Sequence, residues 1–206
     1  VAFFALELQR SDRATQYLRE RRVTPALIEA FRIGYAPDSF DMTYTHLLKN
    51  GFSRKEILSA GLGVQKELTE ERIYDRFRNR IMFPIADPQG NVIGFGGRTL
   101  GEDAKYINSP DGPLYSKSLA LFGTHGARED ARERKSVILV EGYFDVLAFH
   151  HIGIRNVVAV SGTALTEQHV TLLKRIAPEV LLCLDQDEAG RQAAERAFAL
   201  CARQGL

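Results

Sequence analysis

Val137-Ile138-Leu139-Val140-Glu141-Gly142-Tyr143-Phe144-Asp145 and, further on, Val180-Leu181-Leu182-Cys183-Leu184-Asp185-Gln186-Asp187-Glu188-Ala189-Gly190-Arg191 decide the fold. Each is a short apolar run that ends in acids and a glycine. Between them Val157-Val158-Ala159-Val160 runs into Ser161-Gly162-Thr163. Continuous apolar runs bounded by turn residues predict strands buried on both faces, so Cys183 is expected inside a buried strand. The segments around 143–152 and 166–176 carry helix-spaced apolar residues, and a further helix is predicted over 188–204. The pattern is βαβαβα, which implies a parallel sheet with right-handed crossovers.

Parallel strands point the same way, so Glu141, Asp185 and Asp187 are expected at one carboxyl edge, where open α/β sheets bind ligands. Asp185 and Asp187 flank Gln186 and share a side of an extended chain. Three crowded carboxylates repel one another unless a cation lies between them. An all-oxygen, histidine-free set favours Mg²⁺ or Mn²⁺ over zinc. Asp145, a helical turn beyond Glu141, is a fourth candidate ligand. The competing reading is that these acids only cap the helices that follow them.

Working back from this region, residues 124–135 predict a charged helix, read as a hinge segment between two halves. Before it, residues 73–85 alternate and then run apolar. Asp87-Pro88-Gln89-Gly90-Asn91 is a turn, and Val92-Ile93-Gly94-Phe95-Gly96-Gly97-Arg98 returns as a second strand. Arg76, Arg78 and Arg80 alternate along this chain and are expected on one face, with Phe77 and Asn79 on the other. Such a row needs anions, and a phosphate backbone is one source. The alternative is a solvated face neutralised by Asp75, Glu70 and Glu71. Gly94, Gly96 and Gly97 mark a bulge or a close backbone approach. Arg98, Lys105, Tyr106, Asn108 and Lys117 form a cluster suited to phosphates and bases, with Tyr106 able to stack. Further upstream, residues 1–22 carry helical periodicity. Thr24-Pro25 starts a helix, 32–37 is a break, a helix spans about 42–49, and Ser53 caps another.

Composition bounds the classes. The chain has 206 residues, 45% hydrophobic and 26% charged, with a formal net charge of +1. This is an ordinary globular composition with room for one large or two small domains. Bulk charge does not announce a nucleic-acid partner. Cys183 and Cys201 have no C-x-x-C spacing, which argues against a disulfide framework and a zinc site and fits a reducing compartment. No apolar run reaches membrane-spanning length and no signal peptide is recognised, so no membrane association is expected. The five histidines show no ligand spacing.

Val140-Glu141-Gly142-Tyr143-Phe144-Asp145 followed by Asp185-x-Asp187-x-Ala189-Gly190-Arg191 resembles the topoisomerase–primase (Toprim) signature. Arg76-Phe77-Arg78-Asn79-Arg80-Ile81-Met82-Phe83-Pro84-Ile85, Gly94-Phe95-Gly96-Gly97-Arg98, Lys105-Tyr106-Ile107-Asn108-Ser109-Pro110 and Lys117 resemble the bacterial DNA primase catalytic domain. The resemblance implies an α/β fold: a mixed α+β subdomain over 1–134, then a Toprim-type subdomain over 135–206. That second part would be truncated at its C-terminus, since the family continues into a further strand and acidic motif. It implies metal-dependent synthesis of RNA primers from ribonucleoside triphosphates on single-stranded DNA, in the bacterial cytoplasm at the nucleoid. Catalysis would rest on Glu141, Asp185 and Asp187, with Mg²⁺ or Mn²⁺ held by these and Asp145. Arg76, Arg78, Arg80, Arg98, Lys105, Tyr106, Asn108 and Lys117 would contact template or nucleotide. A zinc-binding module and the replicative helicase would act through regions outside this chain. The competing classes are another Toprim enzyme, a nuclease or topoisomerase, and a non-catalytic nucleic-acid-binding module.

Overall fold

A computed structural model describes residues 1–65 and 72–206, so Glu70 and Glu71 lie outside the described residues. The chain divides into two compact units. One comprises Val1–Pro84 and Ile93–Ser116, the other Ile85–Val92 and Lys117–Leu206. This division into compact units falls at 116/117, with one hairpin tip assigned to the second unit.

The first unit opens with α1 (Ala2–Gln9), α2 (Asp12–Glu20) and α3 (Pro25–Ala30). The periodicity over 1–22 is broken because the Ser11 side chain accepts the Ala14 N–H and starts a new helix. Thr24 caps α3 as expected, with Pro25 in its first turn. Residues Gly34–Ala36, expected as a break, form β1 and pair antiparallel with Arg80–Met82. α4 (Met42–Lys49) and α5 (Arg54–Ser59) follow, the latter with a Ser53–Glu56 capping box. β2 (Gly63–Val64) pairs with β3 (Tyr74–Asp75). β4 (Arg80–Ala86), β5 (Val92–Thr99) and β6 (Tyr106–Asn108) complete a sheet of order β1-β4-β5-β6. The core gathers Phe4, Leu18, Ile33, Phe77, Ile81, Phe83 and Phe95. A Cβ on Gly97 would come within 2.7 Å of the Phe77 ring, so this position keeps its glycine for packing.

The strand expected to run through 76–80 is interrupted. Asn79 adopts φ 50°, and the chain from Arg76 to Asn79 is irregular. Long-range bonds hold it there: Tyr35 Oη donates to Asn79 Oδ1 at 3.0 Å and Leu100 N donates to Asn79 O at 2.9 Å. The three arginines therefore do not line one face by alternation.

The second unit contains α6 (Thr124–Arg134), β7 (Ser136–Val140), α7 (Tyr143–His151), β8 (Val157–Ala159), α8 (Glu167–Lys174), β9 (Glu179–Leu182) and α9 (Glu188–Arg203). The strands form a parallel sheet of order β8-β7-β9, the architecture read from the apolar runs. α6 is not a hinge. Its Ala127 and Ala131 join Leu139, Val158, Leu173 and Ile176 in this unit's core. β9 stands at the sheet edge and buries little: Leu181 is 51% exposed and Cys183 is exposed. The expectation of a buried Cys183 fails because an edge strand has a neighbour on one side only.

Candidate nucleic-acid interface and acidic edge

In the first unit the predicted basic residues separate into two roles. Arg80 is 5% exposed, and its Nη1 donates to Gly97 O at 3.2 Å and Ala104 O at 2.9 Å. It ties β4 to β5 and to the following loop, and is removed from any ligand surface. Arg76 is half-buried and donates from Nε and Nη2 to Asn108 O at 3.1 and 2.9 Å, joining the loop before β4 to β6. Burial pulls both guanidinium groups below their ordinary pKa, and both stay charged at neutral pH. Arg78 donates to Asp75 O and lies over the rings of Phe40 at 4.9 Å and Tyr74 at 5.6 Å.

Asp75 sets that loop. Its buried carboxylate accepts from Thr43 N at 2.7 Å and Tyr44 N at 2.8 Å, closing the N-terminus of α4. Burial pushes its carboxyl up, and the two N–H bonds offset this only in part.

Arg98 lies between the Tyr17 and Tyr106 rings, 5.6 and 5.5 Å from their centres. Lys105 and Tyr106 are exposed neighbours, with the ammonium 6.0 Å from the ring. Lys117 falls in the second unit. Two residues of this surface were missed from sequence: Tyr17 and Arg21. Their i,i+4 spacing on one helix was the available signal, and Arg21 lies 5.0 Å from the Tyr17 ring. A cleft of about 360 Å³ opens here, lined by Arg13, Tyr17, Glu20, Arg98, Thr99 and Gly101.

In the second unit the acids occupy the carboxyl ends of β7 and β9. Asp185 N donates to Glu141 Oε1 at 3.0 Å, joining the two strand exits. Asp145 Oδ2 accepts Gly142 N at 2.8 Å and Asp187 Oδ1 accepts Gly190 N at 2.7 Å, so both cap the helices that begin there. The capping reading thus holds for these two. Desolvation raises the Asp145 carboxyl, the Gly142 bond opposes it, and the charge of Asp185 adds to the rise. Asp185 is exposed. A cavity of about 430 Å³ at this edge is lined by Glu141, Gly162, Thr163, Leu184, Ala189 and Arg196. Gly162, at φ 86°, lines it, and Ser161 just before it, at φ 54°, donates from its N to Glu141 O.

The donor chemistry of Glu141, Asp145, Asp185 and Asp187 fits a hard divalent ion. Their present arrangement brings Glu141 to Asp185 but does not gather three ligands: among the described residues no three His, Cys, Asp or Glu side chains are placed to hold a metal. No helix among the described residues is long and apolar enough to cross a membrane.

Comparison with known proteins accounts for both units. The family described as "DNA primase catalytic core, N-terminal domain" matches residues 3–128, and the "Toprim-like" family matches 138–206. The chain is 45% identical to the DNA primase of Pseudomonas aeruginosa over 186 residues, covering 90% of this chain and 28% of that protein. It is 42% identical to the DNA primase of Escherichia coli K12 over 199 residues, covering 95% and 34%. The chain therefore spans about a third of the length of these relatives. The zinc-binding and RNA polymerase domains of the Aquifex aeolicus primase superpose with a TM-score of 0.92 at 39% identity, covering all of this chain and 50% of that one. A DnaG primase catalytic domain solved with single-stranded DNA superposes at 0.84 with 42% identity, covering 96% and 62%. With an antiparallel sheet of the first kind and a parallel Toprim sheet of the second, this chain belongs to the bacterial DNA primase catalytic core family.

Proposed function

We propose that the chain is the catalytic core of primer synthesis, joining ribonucleotides on a single-stranded DNA template. The observation that carries this reading is the Glu141–Asp185 link, which brings acids from two parallel strands to one carboxyl edge. Glu141 and Asp185 would hold Mg²⁺ or Mn²⁺, with Asp187 and Asp145 drawn from their caps. The bound ion would supply a lowered hydroxyl pKa at the primer end and neutralise charge on the phosphoryl oxygens. Gly190 lets the first turn of α9 sit against the Asp185 backbone, and Gly162 lines the cavity beside Glu141.

The first unit would supply the template surface. Arg76, Arg78, Arg98 and Lys105 would meet phosphates, Tyr106 would stack on a base, and Asn108 would donate or accept from its side-chain amide. Lys117 would act with nucleotide phosphates. Arg80 drops out because it is buried. The proposed division of labour is template binding over 1–134 and metal chemistry over 135–206. Ribonucleoside triphosphates are the proposed substrates, and the nucleoid of the bacterial cytoplasm the proposed place. A zinc-binding module and the replicative helicase are proposed partners of the full-length protein.

The test is RNA primer synthesis on single-stranded templates by the full-length protein carrying Glu141→Gln. Loss of one such electrostatic element commonly costs about 10²–10³ in rate, and a fall of that order is expected with melting unchanged. Near-wild-type synthesis by this variant would overturn the reading.

A further inference from the structure

The cation–ring contacts of the first unit form a series. Arg21 is 5.0 Å from the Tyr17 ring, Arg98 is 5.6 Å from the same ring and 5.5 Å from Tyr106, and Lys105 is 6.0 Å from Tyr106. Arg98 is the middle cation, and its hydrogen bonding is sparse. Nη1 donates to Thr99 O at 2.6 Å, while Nε is shut off from solvent without an acceptor. Neither of the ion pairs among the described residues includes it.

An unpartnered buried N–H is destabilising, and each guanidinium–ring contact acts in the other direction. The orientation of Arg98 is thus maintained by two rings and one backbone carbonyl, with no carboxylate fork to hold it. Tyr106 is carried at the exposed start of β6, a three-residue strand at the sheet edge. Tyr17 stands on a nine-residue helix whose buried face is Ala14 and Leu18, which leaves Tyr17 half-buried in the wall of the cleft. The more rigid of the two supports is therefore the helix.

We propose that Tyr17 is a positioning residue for Arg98: its ring fixes the guanidinium at the angle from which it meets a phosphate of single-stranded DNA. This rests on the reading of the first unit as the template surface. Tyr17 acts through Arg98, and its ring face matters while its hydroxyl does not. Because Tyr17 contributes little to the buried face of α2, its replacement leaves the fold in place.

The experiment measures binding of a fluorescein-labelled oligothymidine to the full chain across a salt series. Tyr17→Leu keeps the bulk and removes the ring. Affinity is expected to fall about two- to five-fold, the worth of one exposed cation–ring contact. The log–log salt slope is expected to become shallower by up to about 0.7, the share of one phosphate contact on a single strand. Tyr17→Phe keeps the ring and should bind as the parent does. In an Arg98→Ala background Tyr17→Leu should change affinity by less than about two-fold, because the two residues act as one unit. Thermal melts accompany each variant, and Tyr17→Met carries the same comparison should the leucine variant melt early. Equal losses from Tyr17→Leu in both backgrounds, or a Tyr17→Phe loss as large as that of Tyr17→Leu, would overturn the proposal. If Arg98→Ala weakens binding and Tyr17→Leu does not, the positioning role alone fails. If Arg98→Ala leaves affinity and slope unchanged, the template-surface reading itself fails.

Discussion

Arg80→Met separates a structural arginine from a binding one. Arg80 Nη1 reaches Gly97 O and Ala104 O, and the side chain is 5% exposed. A hydrogen bond to a charged group contributes about 1.5–3 kcal/mol, so two of them give about 3–6 kcal/mol before the desolvation of the guanidinium is set against them. Removing one partner of a buried polar arrangement leaves the other unsatisfied, and the net loss expected here is about 2–4 kcal/mol. For a unit of this size that lowers its melting point by roughly 10–20 °C. Two compact units need not melt together, so the shift should fall on one transition and leave the other in place. Differential scanning calorimetry reads the transition, and the oligothymidine salt series reads binding. Well below the new melting point, Arg80→Met should retain the parent's salt slope, while Arg98→Ala should flatten the slope and leave melting alone. A variant that melts within about 2 °C of the parent yet loses affinity and slope as Arg98→Ala does would show that Arg80 meets phosphate, and the argument from burial would be wrong.

Other expectations concern the acids and the loops that carry them. Asp187→Ala removes the cap of α9 and should lower stability by about 1 kcal/mol in metal-free buffer, whereas Asp185→Ala should not; both should weaken Mn²⁺ binding in calorimetric titration. Gly190→Ala would put a Cβ 2.1 Å from Asp185 O, so it should displace the Asp185 loop, lower the melting point and reduce Mn²⁺ affinity, with parent-like behaviour counting against the close packing. The raised carboxyl of Asp75 means the native state binds its proton more readily than the unfolded chain. That contribution is complete below the unfolded value of 3.8 and disappears as pH rises through the folded value, so the destabilisation by Asp75→Asn should be larger at acid pH than at neutral pH. A pH-independent difference in urea unfolding would contradict that sign.

The parallel sheet was legible because its three strands are short apolar runs bounded by turn residues, too short for a buried helix. The positions of Glu141, Asp145, Asp185 and Asp187 followed from where those runs end. Their division into a linked pair and two caps did not, because the choice of a side chain between a metal and a nearby N–H depends on loop geometry. The arginine row failed at a single residue. Asn79 is turned into the left-handed region by Tyr35 and Leu100, partners distant in sequence, and every side chain before it is re-aimed. The sequence of α6 reads as a hinge because its charges conceal a narrow stripe of Thr124, Ala127 and Ala131. The segment that holds Tyr17 carries only a helical periodicity in its sequence, and the value of Tyr17 depends on an arginine far along the chain.

The hairpin tip Ile85–Val92 belongs to the second unit although the chain on either side belongs to the first. Arg128 Nη1 donates to Pro88 O at 2.9 Å, and the His125 ring nitrogen lies 3.3 Å from the same oxygen. The polypeptide thus passes from one unit to the other after Pro84, after Val92 and after Ser116. A single protease nick between 116 and 117 would leave two chains, 1–116 and 117–206, with the tip on the first still holding the second through the Arg128 and His125 contacts to Pro88 O. Nor can the second unit be carried into another gene as one uninterrupted exon-like segment: residues 117–206 alone would leave Arg128 and His125 facing the place of a missing carbonyl. Transplanting it requires the tip to be grafted as well.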